Sequence, residues 1–192
     1  YTKNKKFYWL ARSYADRGKP FYDKNFNQRD FHKYEYPGLN MNIDEISCAI
    51  GISILKKLPS IINKRYYIAK KIEEYLNKKS KIFSVANFSK KIYPSVYFLV
   101  IKIDLKYSKF DREEIKKSLS SKGLEFNPKH REVVSEWKWI KSDLVGKKST
   151  PNALKYRNES FNLYLNEKYN NQNIKQILQI LMSVEKKCLK LK

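Results

Sequence analysis

Residues 37–58 read PGLNMNIDEISCAIGISILKKL, and the rest of the chain is organised around this stretch. Pro37 and Gly38 are typical of a tight turn, after which a helix is expected to begin at Asn42 or Asp44. A loop that ends on a helix N-terminus presents free backbone N–H groups and the positive end of the helix dipole, which suits an anion such as phosphate. Taken alone, these residues favour the alternative, an ordinary capped helix whose small residues allow a close helix contact.

On both sides of this stretch, the hydrophobic pattern predicts a small α+β domain. The expected helices and strands are a helix over 3–17, a helix over 59–78, a strand over 96–103, a helix from Asp111 to Gly123, a strand over 124–127, short helical turns over 132–142 and 150–156, a strand over 160–165, and a last helix capped by Asn170 or Asn171. The strand over 96–103 is apolar on both faces, which predicts a central position in the sheet. Residues 79–91 are expected to be a polar connection. Residues 19–36 are expected to be an ordered loop, in which aromatic rings either pack together or bind bases and phosphates.

Three segments of the chain share the spacing of one known protein family. The central segment has its matching positions at Gly38, Asn40, Glu45, Cys48, Ala49, Ile50, Gly51 and Leu58. Before it stands Arg12-Ser-Tyr-Ala-Asp-Arg-Gly18-Lys, and after it stand a strand-like segment over 96–105, then Asp111-Arg-Glu-Glu and Gly123-Leu. Together they resemble the DegT/DnrJ/StrS family of pyridoxal-phosphate-dependent sugar aminotransferases, which have the aspartate aminotransferase fold (fold type I).

The resemblance implies that this chain is the C-terminal half of such an enzyme. Residues 1–58 would be the end of the large cofactor domain and the hinge, and residues 59–192 the small C-terminal domain. That domain is an α+β unit with a small, mostly antiparallel sheet and helices on one side. The family's Schiff-base lysine lies N-terminal to the segment that begins here at Arg12. No lysine of this chain is therefore expected to be catalytic or to bind pyridoxal phosphate covalently.

The resemblance also suggests binding residues, for which solvated loop charges are the alternative explanation. The family's Asn in Gly-x-Asn reaches the cofactor phosphate of the other subunit, and Asn40 matches it. The family's usual Arg two residues later is Asn42 here, which offers at best a neutral hydrogen bond. The candidates for the nucleotide-sugar substrate are Arg29, His32, Lys33 and Tyr34 before the motif, and Lys129, His130 and Arg131 after Gly123-Leu.

The composition limits the possible partners. The net charge is +22, but lysine dominates over arginine and is spread along the chain, whereas specific nucleic-acid readers use localised arginine forks. Nucleic acid is therefore disfavoured as a partner, and most of the charge is interpreted as solvated surface. The chain has no apolar run long enough to span a membrane and no apolar segment near residue 1 that would indicate a signal peptide. A cytoplasmic protein with two reduced, buried thiols, Cys48 and Cys188, is expected.

Three functions stay open at this point. The resemblance implies a homodimeric aminotransferase that moves an amino group from a donor such as glutamate to a keto-sugar nucleotide, in amino-sugar or surface-polysaccharide biosynthesis. Some family members are instead sugar dehydratases with His in place of the Schiff-base lysine, a position outside these residues. The third possibility is a non-catalytic basic module that binds nucleic acid or an acidic partner.

Overall fold

The computed structural model describes residues 2–28, 30–87, 94–127, 133–146 and 149–190. The chain forms two compact units. The first unit comprises Tyr1–Ser53 and Glu132–Pro151, and the second unit comprises Ile54–Arg131 and Asn152–Lys192.

The helices and strands follow the predicted order, with one additional strand. The helices are α1 Lys5–Ala15, α2 Glu45–Leu55, α3 Leu58–Lys79, α4 Arg112–Ser121, α5 Pro151–Asn158 and α6 Asn171–Cys188. The strands are β1 Phe83–Val85, β2 Phe98–Ile103, β3 Phe126–Asn127 and β4 Ser160–Tyr164. Short 3-10 turns occur at Phe31–Lys33, Leu105–Tyr107, Val134–Glu136 and Lys138–Ile140.

Side-chain caps fix where two of the predicted helices begin. Asp111 and Glu114 form a reciprocal capping box at the start of α4. Asn170 and Asn173 do the same for α6. Each box satisfies backbone N–H groups that the first helical turn leaves without a partner, which confirms these predicted starts.

The four strands form one antiparallel sheet in the order β1-β2-β4-β3. The predicted central position of β2 is confirmed, because β2 pairs with β1 on one side and with β4 on the other. Leu99, Ile101 and Ile103 alternate along β2 on the buried face, while Lys102 on the other face is exposed. This is the predicted small antiparallel sheet with helices packed on one face.

The prediction of a simple connection over 79–91 is wrong, because β1 lies within it. The side chain of Asn77 in α3 pairs with both backbone groups of Val85: its Nδ2 donates to the carbonyl at 2.9 Å and its Oδ1 accepts from the N–H at 2.9 Å. The backbone N–H of Phe83 donates to Ser80 Oγ at 2.7 Å. A strand of three residues is too short to show a clear alternation of apolar and polar side chains, so its own sequence does not identify it.

The second unit has a complete hydrophobic core. Side chains from α3, α4 and α6 meet the strands, and residues such as Ile72, Ile101, Leu119 and Leu181 are fully buried. Burial of one such side chain contributes about 1.5–3 kcal/mol to the free energy of unfolding. Cys188 lies in this core as predicted, and burial raises the pKa of its thiol.

The first unit is packed differently. Among its described residues, Tyr34 and Val133 are the buried large hydrophobic side chains, and α2 buries none of its residues. The prediction that Cys48 is buried is wrong for this chain, because its thiol on α2 is exposed. With respect to the part of the chain that the structure describes, the apolar side chains of α2 are exposed.

Candidate functional site

The chain crosses itself at two glycines of the first unit. After α1 ends, Arg17 and Gly18 both take left-handed backbone conformations, with φ of 63° and 74°. A Cβ at Gly18 would lie 2.0 Å from the carbonyl oxygen of Tyr36, and one at Gly38 would lie 2.6 Å from the Gly18 nitrogen. Only glycine fits at this crossing, which is why the turn over 37–38 needs its glycine.

The crossing holds the segment after Gly38 against the end of α1. Leu39 N–H donates to the Tyr14 carbonyl at 2.8 Å, Arg17 N–H donates to the Leu39 carbonyl at 2.7 Å, and Met41 N–H donates to the Ala15 carbonyl at 2.9 Å. Asn40 lies in the middle of this segment with its residue exposed. Its backbone position is therefore fixed, while its side chain is accessible.

A buried carboxylate organises the residues around Asn40. Asp16 accepts a hydrogen bond from Lys19 Nζ at 2.9 Å and one from Asn42 Nδ2 at 3.1 Å. Both Asp16 and Lys19 are buried, so this ion pair is shielded from water. One of the two amide N–H groups of Asn42, the residue expected beside the cofactor phosphate, is thus engaged within the chain.

Arg17 is a site residue that the sequence did not reveal. One of its guanidinium N–H groups donates from Nη2 to Asn40 Oδ1 at 3.1 Å, and its side chain is 47% exposed. Its place directly before Gly18, in the segment that resembles the family, is the only signal that sequence alone offers. The left-handed backbone of Arg17 and the side-chain pairing across 23 residues become visible only in the fold.

The N-terminus of α2 is an ordinary capped helix end. Asp44 Oδ1 accepts from the Ser47 backbone N–H at 2.8 Å, and its Oδ2 accepts from Ser47 Oγ at 2.7 Å. These hydrogen bonds, the backbone one first, lower the pKa of the Asp44 carboxyl. Because a carboxylate already occupies this helix end, the candidate anion contact lies at Asn40 and Arg17 rather than at the helix N-terminus.

The predicted substrate residues have different surroundings. His32 and Lys33 are exposed on the 3-10 turn of the loop. Tyr34 is buried, and its hydroxyl donates to the Gln28 carbonyl at 3.2 Å. Arg29, Lys129, His130 and Arg131 lie outside the described residues.

The aromatic loop over 19–36 is packed by its own rings. The Tyr34 ring lies 5.4 Å from that of Phe31 and 6.2 Å from that of Phe26, measured between centroids. Phe31 also stacks on Trp137 at 6.0 Å. Of the two possibilities for this loop, the geometry favours mutual packing of the rings over a platform for bases.

The buried lysines of the described residues are paired with carboxylates. Lys19 lies 2.9 Å from Asp16, and Lys116 lies 3.3 Å from Glu113. A lysine that forms a Schiff base is typically a desolvated amine without such a partner. In the same part of the chain, no group of His, Cys, Asp and Glu could hold a metal ion, and no helix is long and apolar enough to cross a membrane.

Comparisons with known proteins fit this arrangement. The model of the DegT/DnrJ/EryC1/StrS aminotransferase family matches residues 2–182. No curated protein matches the chain. The fold is similar to that of Helicobacter pylori PseC, an aminotransferase involved in the biosynthesis of pseudoaminic acid, with 18% identity and a TM-score of 0.63 over 97% of this chain and 48% of that one.

Two further structures have the same fold. A DegT/DnrJ/EryC1/StrS aminotransferase from Brucella abortus is 16% identical, with a TM-score of 0.64 over 96% of this chain and 45% of that one. NtdA from Bacillus subtilis, solved with bound pyridoxamine phosphate, is 18% identical, with a TM-score of 0.58 over 96% of this chain and 41% of that one. The chain thus spans about half the length of the structures that it resembles.

Proposed function

The chain belongs to the DegT/DnrJ/EryC1/StrS aminotransferase family, whose members depend on pyridoxal phosphate, and we propose that it is the C-terminal portion of such an enzyme acting on a keto-sugar nucleotide. Residues 1–58 would form the end of the cofactor domain and the hinge, and residues 59–192 the small domain. The complete enzyme would be a homodimer that takes its amino group from a donor such as glutamate. Its product would enter amino-sugar or surface-polysaccharide biosynthesis in the cytoplasm.

The observation that carries this proposal is the fixed crossing of Gly18 and Gly38, which presents Asn40. The crossing needs glycine at both positions, and it leaves the Asn40 side chain exposed on a rigid backbone. Such preorganisation is what a residue needs if it must reach a ligand held by another part of an assembly. The phosphate of pyridoxal phosphate fits here, because an amide N–H donor and an exposed guanidinium lie side by side.

The chain's own residues would bind and orient rather than react. When bound to its lysine, pyridoxal phosphate supplies the electron sink that amino transfer requires. Asn40 would donate a hydrogen bond from its amide to a phosphate oxygen. Asp16 and Lys19 would hold the end of α1 in place beneath it.

The substrate residues are part of the same proposal. The exposed His32 and Lys33 are suited to the diphosphate of a nucleotide sugar, because both side chains donate hydrogen bonds and Lys33 carries a positive charge. Tyr34 would maintain the shape of this loop rather than contact the substrate, since its side chain is buried. Arg29, Lys129, His130 and Arg131 stay candidates on the strength of the resemblance.

The exposed apolar surface of α2 supports the existence of further polypeptide in the complete enzyme. Ile46, Ile50 and Ile52 are each more than half exposed. Covering three such side chains would contribute several kcal/mol, about 1.5 to 3 for each. A cofactor domain, a second subunit or both would supply that cover.

The test uses the protein translated from the complete coding region that contains this chain. It is expected to carry bound pyridoxal phosphate, seen as visible absorbance that borohydride removes, and to transfer the amino group of glutamate to a keto-sugar nucleotide. Purified protein without this cofactor would overturn the proposal. Bound cofactor with loss of water from the sugar and no amino transfer would select a dehydratase instead.

The 192-residue chain alone is the matched control. After addition of pyridoxal phosphate and borohydride, mass spectrometry is expected to find only scattered, low labelling of lysines. Stoichiometric labelling of one lysine would contradict the claim that the Schiff-base lysine lies outside this chain.

The net charge of +22 favours one alternative of a different class, a basic module that binds nucleic acid. Binding to duplex DNA at low salt is expected for any chain with this charge and should disappear at physiological ionic strength. Affinity in the nanomolar range at physiological salt would favour the binding module over the enzyme.

A further inference from the structure

The pairing between Arg17 and Asn40 determines which way the Asn40 amide faces. A guanidinium can only donate hydrogen bonds, so the amide must turn its oxygen toward Arg17 Nη2, at 3.1 Å. The amide nitrogen then faces away from Arg17, and among the described residues it has no hydrogen-bond acceptor. Asn40 is therefore set to donate outward, which is the orientation that an anion requires.

The backbone of Arg17 is strained. Among the described residues, it is the one non-glycine residue with positive φ, at 63°. A left-handed conformation is unfavourable for a residue with a Cβ, and such strain is found most often where function requires it. The strained backbone brings the exposed guanidinium to the exposed side chain of Asn40.

The charges around the site do not cancel. Asp16 is already neutralised by the buried Lys19 at 2.9 Å, and Arg17 Nε approaches the same carboxylate only to 3.4 Å. These three side chains therefore leave one positive charge in excess, located on the exposed guanidinium. Asn42 contributes no charge, and one of its two amide N–H groups is engaged by Asp16.

We propose that Arg17 is a phosphate-binding residue of this chain: it supplies the positive charge that Asn42 does not, and it orients Asn40 so that both donate to the same phosphate monoester. The identity of that phosphate as the cofactor's rests on the proposed function. The binding of a phosphate monoester by Arg17 and Asn40 does not, because it follows from the geometry and charge of the first unit.

The experiment titrates the 192-residue chain with pyridoxine 5′-phosphate, which lacks the aldehyde that would react with the many lysines. The side-chain amide signals of Asn40 and the Nε signal of Arg17 are followed by NMR. Both are expected to shift with one common saturation curve. Pyridoxine, which has the same ring without the phosphate, should cause no shift.

Three substitutions separate the two roles of Arg17. Arg17→Ala removes both roles and is expected to weaken binding at least tenfold. Arg17→Gln keeps a donor for the Asn40 oxygen but removes the charge, and Arg17→Lys keeps the charge but removes the planar fork. Each of these two is expected to lose affinity by an intermediate factor, about three- to fivefold, because a charge-assisted hydrogen bond is roughly twice as strong as a neutral one.

Lys24→Ala is the matched control for the loss of one exposed positive charge in the same unit, and it should change the affinity less than twofold. The inference is overturned if Arg17→Ala binds within twofold of the unmodified chain, or if the Asn40 amide does not respond to the phosphate. An Arg17-dependent response in a protein whose complete form holds no pyridoxal phosphate would uphold the anion site and overturn the proposed function.

Discussion

The two units of this chain illustrate two ways of holding a polypeptide in place. The second unit buries the faces of three helices and a sheet in a continuous core that includes Ile72, Ile101 and Leu181. Among its described residues, the first unit has few buried hydrophobic side chains, and it is held by a backbone crossing, a buried ion pair and a stack of aromatic rings. The difference indicates that the second unit folds on its own core, whereas the first presents a fixed loop and leaves apolar surface for another polypeptide.

Removal of the same atoms from each unit tests this comparison most strongly. Ile72→Ala in α3 should lower the free energy of unfolding by about 2–5 kcal/mol, because the side chain is fully buried and leaves a cavity. Ile46→Ala in α2 should change it by less than about 0.5 kcal/mol, since that side chain is 74% exposed. Urea denaturation of the isolated chain measures both. Equal losses would show that α2 is covered in the isolated chain and would break the comparison.

Glycine substitutions test whether the first unit depends on its crossing. Gly18→Ala is expected to lower the free energy of local unfolding by more than about 2 kcal/mol. A residue with a Cβ is strained at this positive φ, and the new Cβ would lie 2.0 Å from a backbone oxygen. Gly123→Ala in the second unit has a similar φ of 77° but open space around it, so it should cost only about 1 kcal/mol.

Hydrogen exchange at the Leu39 and Met41 amides reports the Gly18 effect. Gly18→Ala should speed exchange at both amides without changing protection in the sheet. If protection is lost equally throughout the chain, the two units unfold together and the contrast between them disappears.

The strand that the sequence did not predict offers a smaller test within the second unit. Asn77→Ala removes both side-chain hydrogen bonds to the backbone of Val85. Because Val85 is buried, the loss should lower the free energy of unfolding by about 1–2 kcal/mol. Asn152→Ala at an exposed position of α5 is the control, with an expected change below about 0.5 kcal/mol. An unchanged midpoint for Asn77→Ala in urea denaturation would mean that β1 does not depend on this side chain.

The smallest expected effect depends on pH. A hydrogen bond from its own backbone N–H, followed by hydrogen bonds from Arg65, lowers the pKa of Glu167 below its ordinary value of 4.5. These interactions of the Glu167 carboxylate therefore stabilise the folded chain above pH 4.5, and their contribution is lost as the pH falls through the folded-state pKa. Because Arg65 and Glu167 are both partly exposed, the free energy of unfolding should fall by only about 0.5 kcal/mol.

Glu167→Gln should remove that part of the pH dependence of the urea midpoint, and Glu74→Gln at an exposed position of α3 should not. An unchanged profile in Glu167→Gln would show that the ion pair does not contribute to stability.

The elements that could be predicted are those whose signals are local. Asp111 and Asn170 begin helices because their own side chains cap the following residues, and β2 is recognised by its apolar run. β1 depends on Asn77 in the preceding helix, so its own residues do not identify it. The sequence does not identify Arg17, because its left-handed backbone and its hydrogen bond to a partner 23 residues away depend on the fold. The burial of Cys48 is wrongly predicted because an apolar helix usually signals burial, whereas α2 has no buried residue in the described part of the chain.

The short separation along the sequence between the partners of the crossing has a consequence for the order of folding. Arg17 and Asn40 are 23 residues apart, and Asp16 and Asn42 are 26 apart. Closing a loop of this length takes on the order of a microsecond or less, far faster than two polypeptides meet at cellular concentrations. The crossing around Asn40 can therefore form as soon as residue 42 has left the ribosome, before another polypeptide is encountered.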